Sequence, residues 1–251
     1  MKIFSTKCRP QLNKSTKISK NKINLIYAKN YSELSKLAFQ EFLNIKNIKL
    51  TKLIFLPTGK TPIGFYKNAR EYYKVNKKEL RNFFFINLDD YLQIPQSNSM
   101  SFKFYLNQKF SKPLNLSFRQ YYWINNKSSI QEERETLNKY LKRYKGIEMC
   151  ILGLGENGHI AFNEPNCNPQ EILYDAKLTK NTIDKIDCKD FTISKGRTVG
   201  LGLILSAKKI LLLVSGSNKK RALKQLMKKK IDPKWPVTYL CHHPNLTVIV
   251  N

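Results

Sequence analysis

Leu53-Ile54-Phe55-Leu56-Pro57-Thr58-Gly59-Lys60-Thr61-Pro62 is an apolar run of strand length that breaks into a polar turn and opens into a helical pattern reaching Tyr73. This is the first half of a βαβ crossover, a buried strand leading through a short loop into a covering helix. The same pattern recurs on both sides. Further strands are expected at Ile23 to Tyr27, Phe83 to Asn87, Tyr121 to Ile124, Met149 to Leu154, Ile210 to Ser215 and Leu246 to Val250. Their continuous apolar runs suit a parallel sheet covered on both faces. Helices are expected from Ser32, as N-cap, to about Leu43, and at Pro62 to Tyr73, Ser101 to Phe110, Ile130 to Tyr144, Arg197 to Leu205 and Lys219 to Lys229. The expected fold is α/β: a doubly wound, mostly parallel sheet with helices on both faces, a Rossmann-like three-layer αβα.

Length and composition agree with that reading. At roughly 150 residues per domain, 251 residues lie between one and two domains, and no Pro/Gly-rich linker or internal repeat divides them. Residues 23–251 are read as one domain and 1–22 as a flexible basic extension. That extension has no apolar stretch of signal-peptide length, and the first acidic residue is Glu33. The last expected strand ends the chain, so no regulatory C-terminal tail is expected. No run reaches the roughly 18 apolar residues of a membrane span. Five cysteines (Cys8, Cys150, Cys167, Cys188, Cys241) show no ligand spacing, which predicts no metal site and a reducing cytoplasm. The 45 Lys+Arg against 18 Asp+Glu leave a charge of +27, but the lysines are spread along the whole chain. Such dispersion points to biased composition, and nucleic acid is not expected as a partner.

In open α/β sheets ligands bind beyond the carboxyl ends of the strands, so the loops there carry the functional signal. Pro57 to Pro62 opens a helix whose free N–H groups favour an anion, making Thr58, Gly59, Lys60 and Thr61 a candidate phosphate seat. The same residues also suit a tight turn capped by Thr61. The GxxxxGK[ST] phosphate loop is absent. Asn87-Leu88-Asp89-Asp90-Tyr91 sets two carboxylates at the end of a buried strand, where one is raised toward general-base range, unless the pair simply caps a solvated turn. Gly153-Leu154-Gly155-Glu156-Asn157-Gly158-His159-Ile160-Ala161-Phe162-Asn163-Glu164-Pro165 gathers three glycines with an Asn, a His and a Glu. Its His is the one side chain there whose ordinary pKa lies near neutrality. His242 and His243 are read as packing residues.

With these three loops in this order, the chain resembles the glucosamine-6-phosphate deaminase (isomerase) family, which shares a superfamily with 6-phosphogluconolactonases. Thr198-Val199-Gly200, Ser215-Gly216-Ser217 with Lys219, and His243-Pro244 extend the likeness from about Ile23 to Asn251. The Phe162-Asn163-Glu164-Pro165 ending favours the deaminase branch over the lactonases. The resemblance implies a cofactor-independent conversion of D-glucosamine 6-phosphate and water to D-fructose 6-phosphate and ammonia. The uptake of water suggests the hydrolase class. It further implies that Asp89 moves a proton between C2 and C1, that His159 opens the pyranose ring with Glu164 as its partner, and that Asn157 stands where many members have Asp. Thr58, Gly59, Lys60, Thr61, Asp90 and Lys219 are the implied substrate-binding set. The expected partner is a small sugar phosphate, with a homo-oligomer left open.

Two departures bear on the phosphate. Lys60 stands where the family has a second glycine. The family's Thr-Arg-x-x-x-Ser-Arg segment aligns with Thr182-Ile183-Asp184-Lys185-Ile186-Asp187-Cys188, which contains no arginine. Lys60, Lys185 or Arg197 are the candidates to compensate, although lysine and arginine are not equivalent on phosphate. The alternatives are a lactone hydrolase or another phosphosugar isomerase, and a degenerate member that only binds a sugar phosphate or nucleic acid.

Overall fold

Alternation of side chains across a strand builds two cores from one sheet. Leu53, Phe55, Phe84, Ile86, Cys150, Leu152, Ile210 and Leu212 face one core, whereas Ile54, Leu56, Phe83, Phe85, Met149, Ile151, Leu211 and Leu213 face the other. The first is covered by Leu137 of helix Ile130–Tyr144 and by Ala222 and Leu226 of helix Lys220–Met227. Leu34, Ala38 and Phe42 of helix Tyr31–Leu43 and Phe65 and Ala69 of helix Ile63–Tyr73 cover the second. The computed structural model that describes this arrangement covers residues 23–45, 50–184, 186 and 190–251. The proposed extension 1–22 and Lys185 lie outside the described residues, as do Cys8 and Cys188.

Among the described residues the strands are β1 Asn24–Tyr27, β2 Lys52–Leu56, β3 Phe83–Asn87, β4 Asp89–Tyr91, β5 Tyr121–Tyr122, β6 Ile147–Gly153, β7 Leu173–Lys177, β8 Lys195–Val199, β9 Ile210–Val214 and β10 Leu246–Val250. Seven form a sheet in the order β1-β10-β9-β6-β2-β3-β5, and every neighbouring pair is parallel. The expected doubly wound architecture is therefore present. From β2 the chain moves outward to β3, and from β6 it moves the opposite way to β9. That reversal opens a crevice between the carboxyl ends of β2 and β6, the position at which such sheets bind ligands.

Three strands escape the sequence reading. β4, β8 and β7 form a separate antiparallel sheet, with Asp89 opposite Thr198 and Asp175 opposite Arg197. Arg197 to Leu205 is thus not one helix. Arg197 and Thr198 belong to β8, and only Leu201–Ile204 is helical, beyond an extended Gly200. The first helix is capped by Asn30, whose side chain accepts from the Glu33 amide at 3.0 Å, and Ser32 lies inside it. Ile130–Tyr144 follows the expected bounds because Ser129 and Glu132 close a capping box.

Candidate active site

Asn87, fully buried at the end of β3, organises the next residues. Its amide donates to the Asp89 carbonyl and accepts from the Ile124 amide, both at 2.7 Å. The Val199 amide then donates to the Leu88 carbonyl at 2.8 Å, drawing the chain from the large sheet into the small one. Asp89 stands at that junction with 5% of its surface exposed. Loss of water, and to a lesser degree the neighbouring Asp90, pushes its carboxyl well above the usual range.

Asp90 has a different task. Its carboxylate accepts from the amides of Tyr91 at 2.9 Å, Phe102 at 2.8 Å and Lys103 at 3.2 Å. Burial raises it to about 6 against the pull of those three bonds. Through these bonds its oxygens hold helix Phe102–Leu106 against β4.

The loop after β6 turns through Gly158, which has φ of 83°, and brings Asn157, His159 and Glu164 together. The imidazole lies flat on Gly155, where a Cβ would stand 2.5 Å from its ring atoms, so only glycine fits beneath it. His159 Nδ1 is 3.8 Å from Glu164 Oε2 and 3.5 Å from the Thr182 hydroxyl. Glu164 is buried and accepts from Asn157 Nδ2 at 2.8 Å, from the Thr179 hydroxyl at 3.0 Å and from the Thr182 hydroxyl. Asn157 Oδ1 also accepts from the His159 amide at 3.2 Å. Asn157 therefore donates to the glutamate with one end and fixes the histidine backbone with the other. The Phe162 amide donates to the Thr198 hydroxyl at 3.1 Å, tying this loop to the residue paired with Asp89.

Two further loops complete the rim. Gly59, with φ of 94°, turns the segment between β2 and helix Ile63–Tyr73, leaving Lys60 exposed. That helix begins without a side-chain cap, so Thr61 does not serve as one. After β9, Gly216 has φ of 102° and Lys219 Nζ lies 3.9 Å from Glu156 Oε1, which also accepts from Asn218. The expected set Thr58, Gly59, Lys60, Thr61, Asp89, Asn157, His159, Glu164 and Lys219 thus lies on the carboxyl-end loops of β2, β3, β6 and β9.

Arg197 is excluded as a substitute phosphate ligand. It is 3% exposed and doubly bonded to Asp175, Nε to Oδ1 at 2.8 Å and Nη2 to Oδ2 at 3.1 Å. Its Nη1 donates to the Asn125 and Ser128 carbonyls at 2.8 Å. Arg197→Met should lower stability by roughly 2–3 kcal/mol in urea unfolding, because it strands those acceptors. Of the two histidines read as packing residues, His243 is one, buried with its Nε2 2.7 Å from the Ala207 carbonyl, whereas His242 is exposed at the end of the turn before β10.

Residues 46–249 match the family model described as glucosamine-6-phosphate isomerases/6-phosphogluconolactonase. The chain belongs to this family. It is 32% identical over 234 residues to a glucosamine-6-phosphate deaminase of Thermoanaerobacter pseudethanolicus, covering 91% of this chain and 92% of that one. It is also 32% identical over 242 residues to one of Malacoplasma penetrans, with 91% and 98% covered. Among solved structures, a monomeric glucosamine-6-phosphate deaminase superposes with a TM-score of 0.84 at 26% identity, covering 91% of this chain and 97% of its own. A 6-phosphogluconolactonase from Trypanosoma cruzi superposes at 0.75 with 16% identity over 92% and 94% of the two chains, a likeness of fold. The hydrolase class expected from the sequence is overturned by these relatives, which are named deaminases. The groups gathered here, a desolvated carboxyl and a His–Glu couple, are suited to moving protons.

Tyr31, Tyr66, Tyr105 and Thr179 are site-supporting residues that the sequence reading missed, while Glu156, Thr182 and Thr198 entered it only as members of quoted segments, with no role assigned. These are common residue types whose contacts with the site no local spacing signals.

Proposed function

We propose that this chain converts D-glucosamine 6-phosphate and water to D-fructose 6-phosphate and ammonia, working in the cytoplasm on a small sugar phosphate. The observation that carries the reading is the buried Asp89 carboxyl beside the crevice. A proton shift between adjacent carbons needs a base of raised proton affinity, and lactone hydrolysis would leave Asp89 idle.

In this reading His159, oriented by Glu164 and Asn157, takes the proton of the anomeric hydroxyl and returns one to the ring oxygen, giving the open aldehyde. Asp89 then removes the C2 proton and delivers it to C1. The aldehyde oxygen takes up a proton that the C2 amine releases, so the aldehyde becomes a hydroxymethyl group and the amine an imine. Water adds at C2 and ammonia leaves, so the atoms balance without a cofactor. Thr58, Gly59, Lys60, Thr61 and Lys219 hold the phosphate.

A coupled assay for ammonia and fructose 6-phosphate over a panel of sugar phosphates tests the reading, and turnover confined to a lactone would reverse it. Lys60→Gly should weaken glucosamine 6-phosphate binding about tenfold, the loss of one charge-assisted contact, without changing binding of unphosphorylated glucosamine. Equal changes for both sugars would show that Lys60 does not act on phosphate.

A further inference from the structure

The loop from Pro57 to Pro62 is held through its carbonyls by three tyrosine hydroxyls from three different helical regions. Tyr105, in helix Phe102–Leu106, donates to the Gly59 carbonyl at 2.6 Å. Tyr31, opening helix Tyr31–Leu43, lies 3.2 Å from the Lys60 carbonyl and 3.1 Å from that of Thr61, and accepts from the Gly64 amide at 2.8 Å. Tyr66, fully buried in helix Ile63–Tyr73, donates to the Pro57 carbonyl.

A trans peptide unit points its N–H opposite to its C=O. Fixing the carbonyls of Pro57, Gly59 and Lys60 therefore fixes the amides of Thr58, Lys60 and Thr61, each directed away from the tyrosine that holds its unit. Among the described residues, none of these three amides donates to another protein atom. Amides left open in this way suit an anion. Close packing keeps the arrangement in register, because a Cβ on Gly64 would stand 2.0 Å from the Ser35 hydroxyl.

We propose that Tyr31, Tyr66 and Tyr105 are positioning residues that orient the amides of the phosphate seat. In this chain they support a seat whose family arginine is missing from its aligned segment. The inference rests on the proposed function only in naming the phosphorylated substrate, since the cradle would serve inorganic phosphate equally.

The test uses Tyr105→Phe and the double variant Tyr31→Phe/Tyr105→Phe. Tyr31 is 36% exposed and Tyr105 half-buried, so both variants keep the ring packing and remove only hydroxyls. Calorimetry with inorganic phosphate should show binding weakened roughly three- to tenfold per hydroxyl. The KM for glucosamine 6-phosphate should rise by the same factor with kcat unchanged. Unchanged phosphate binding in the double variant would overturn the proposal, as would a fall in kcat and melting temperature with no change in phosphate affinity. Weakened phosphate binding in an enzyme that releases no ammonia would uphold the cradle and reject the deaminase reading instead.

Discussion

Asp89→Asn should lower turnover roughly a thousandfold or more while substrate binding is largely retained. The amide keeps the shape of the carboxylate, and the backbone contacts that place residue 89 do not involve its side chain. What is lost is a proton acceptor whose affinity burial has raised. The same burial predicts a change of opposite sign in stability. A carboxyl raised above its unfolded value favours folding when protonated, and that contribution is lost as pH rises through the folded value. The substituted amide never ionises, so the variant should be more stable than the parent at about pH 8, and the gap should narrow as pH falls. Urea unfolding at several pH values measures this, beside an ammonia-release assay. Near-parental ammonia release would remove Asp89 from the reaction.

His159→Gln is the second large effect, a loss on the order of a hundredfold or more with the cyclic sugar. Glutamine cannot exchange a proton near neutrality, although it can occupy the space above Gly155. An open-chain substrate analogue bypasses ring opening and should lose much less activity. Equal losses on the cyclic and open forms would show that His159 acts elsewhere in the cycle. Thr182→Val, which removes the hydroxyl lying against both His159 Nδ1 and Glu164, should give a milder form of the same selective defect, read as the ratio of the two rates.

The large sheet was legible because its strands are apolar on both faces, and Phe83 to Asn87 and Leu246 to Val250 emerge with the bounds read from the sequence. The small sheet was not. Its strands, Asp89-Asp90-Tyr91, Leu173 to Lys177 and Lys195 to Val199, carry charged or polar residues whose partners lie far along the chain. Arg197 reads as a solvent-facing helical residue until Asp175 is placed opposite it. The chemical groups at the site were legible for the opposite reason, since a His and a Glu among glycines at a strand's end stand out locally. Two adjacent aspartates do not reveal which is desolvated and which is tied to amides. That division depends on helix Phe102–Leu106, whose amides reach only Asp90. Tyrosine hydroxyls bonded to loop carbonyls, two of them from about 30 and 46 residues away, leave no local trace at all.

The place of Asp89 between the two sheets also bears on how the molecule acquires its activity. β3 joins the large sheet beside β2, a partner close in sequence, whereas the ladder that encloses Asp89 waits for β8, more than a hundred residues further on. Until that distant strand arrives, the carboxyl is hydrated and as acidic as any other. On refolding, hydrogen-exchange protection of the β2–β3 pairing, whose strands lie about thirty residues apart, should therefore return before ammonia release does. The proton affinity of this one side chain is a property of the late ladder, acquired when the chain closes over it.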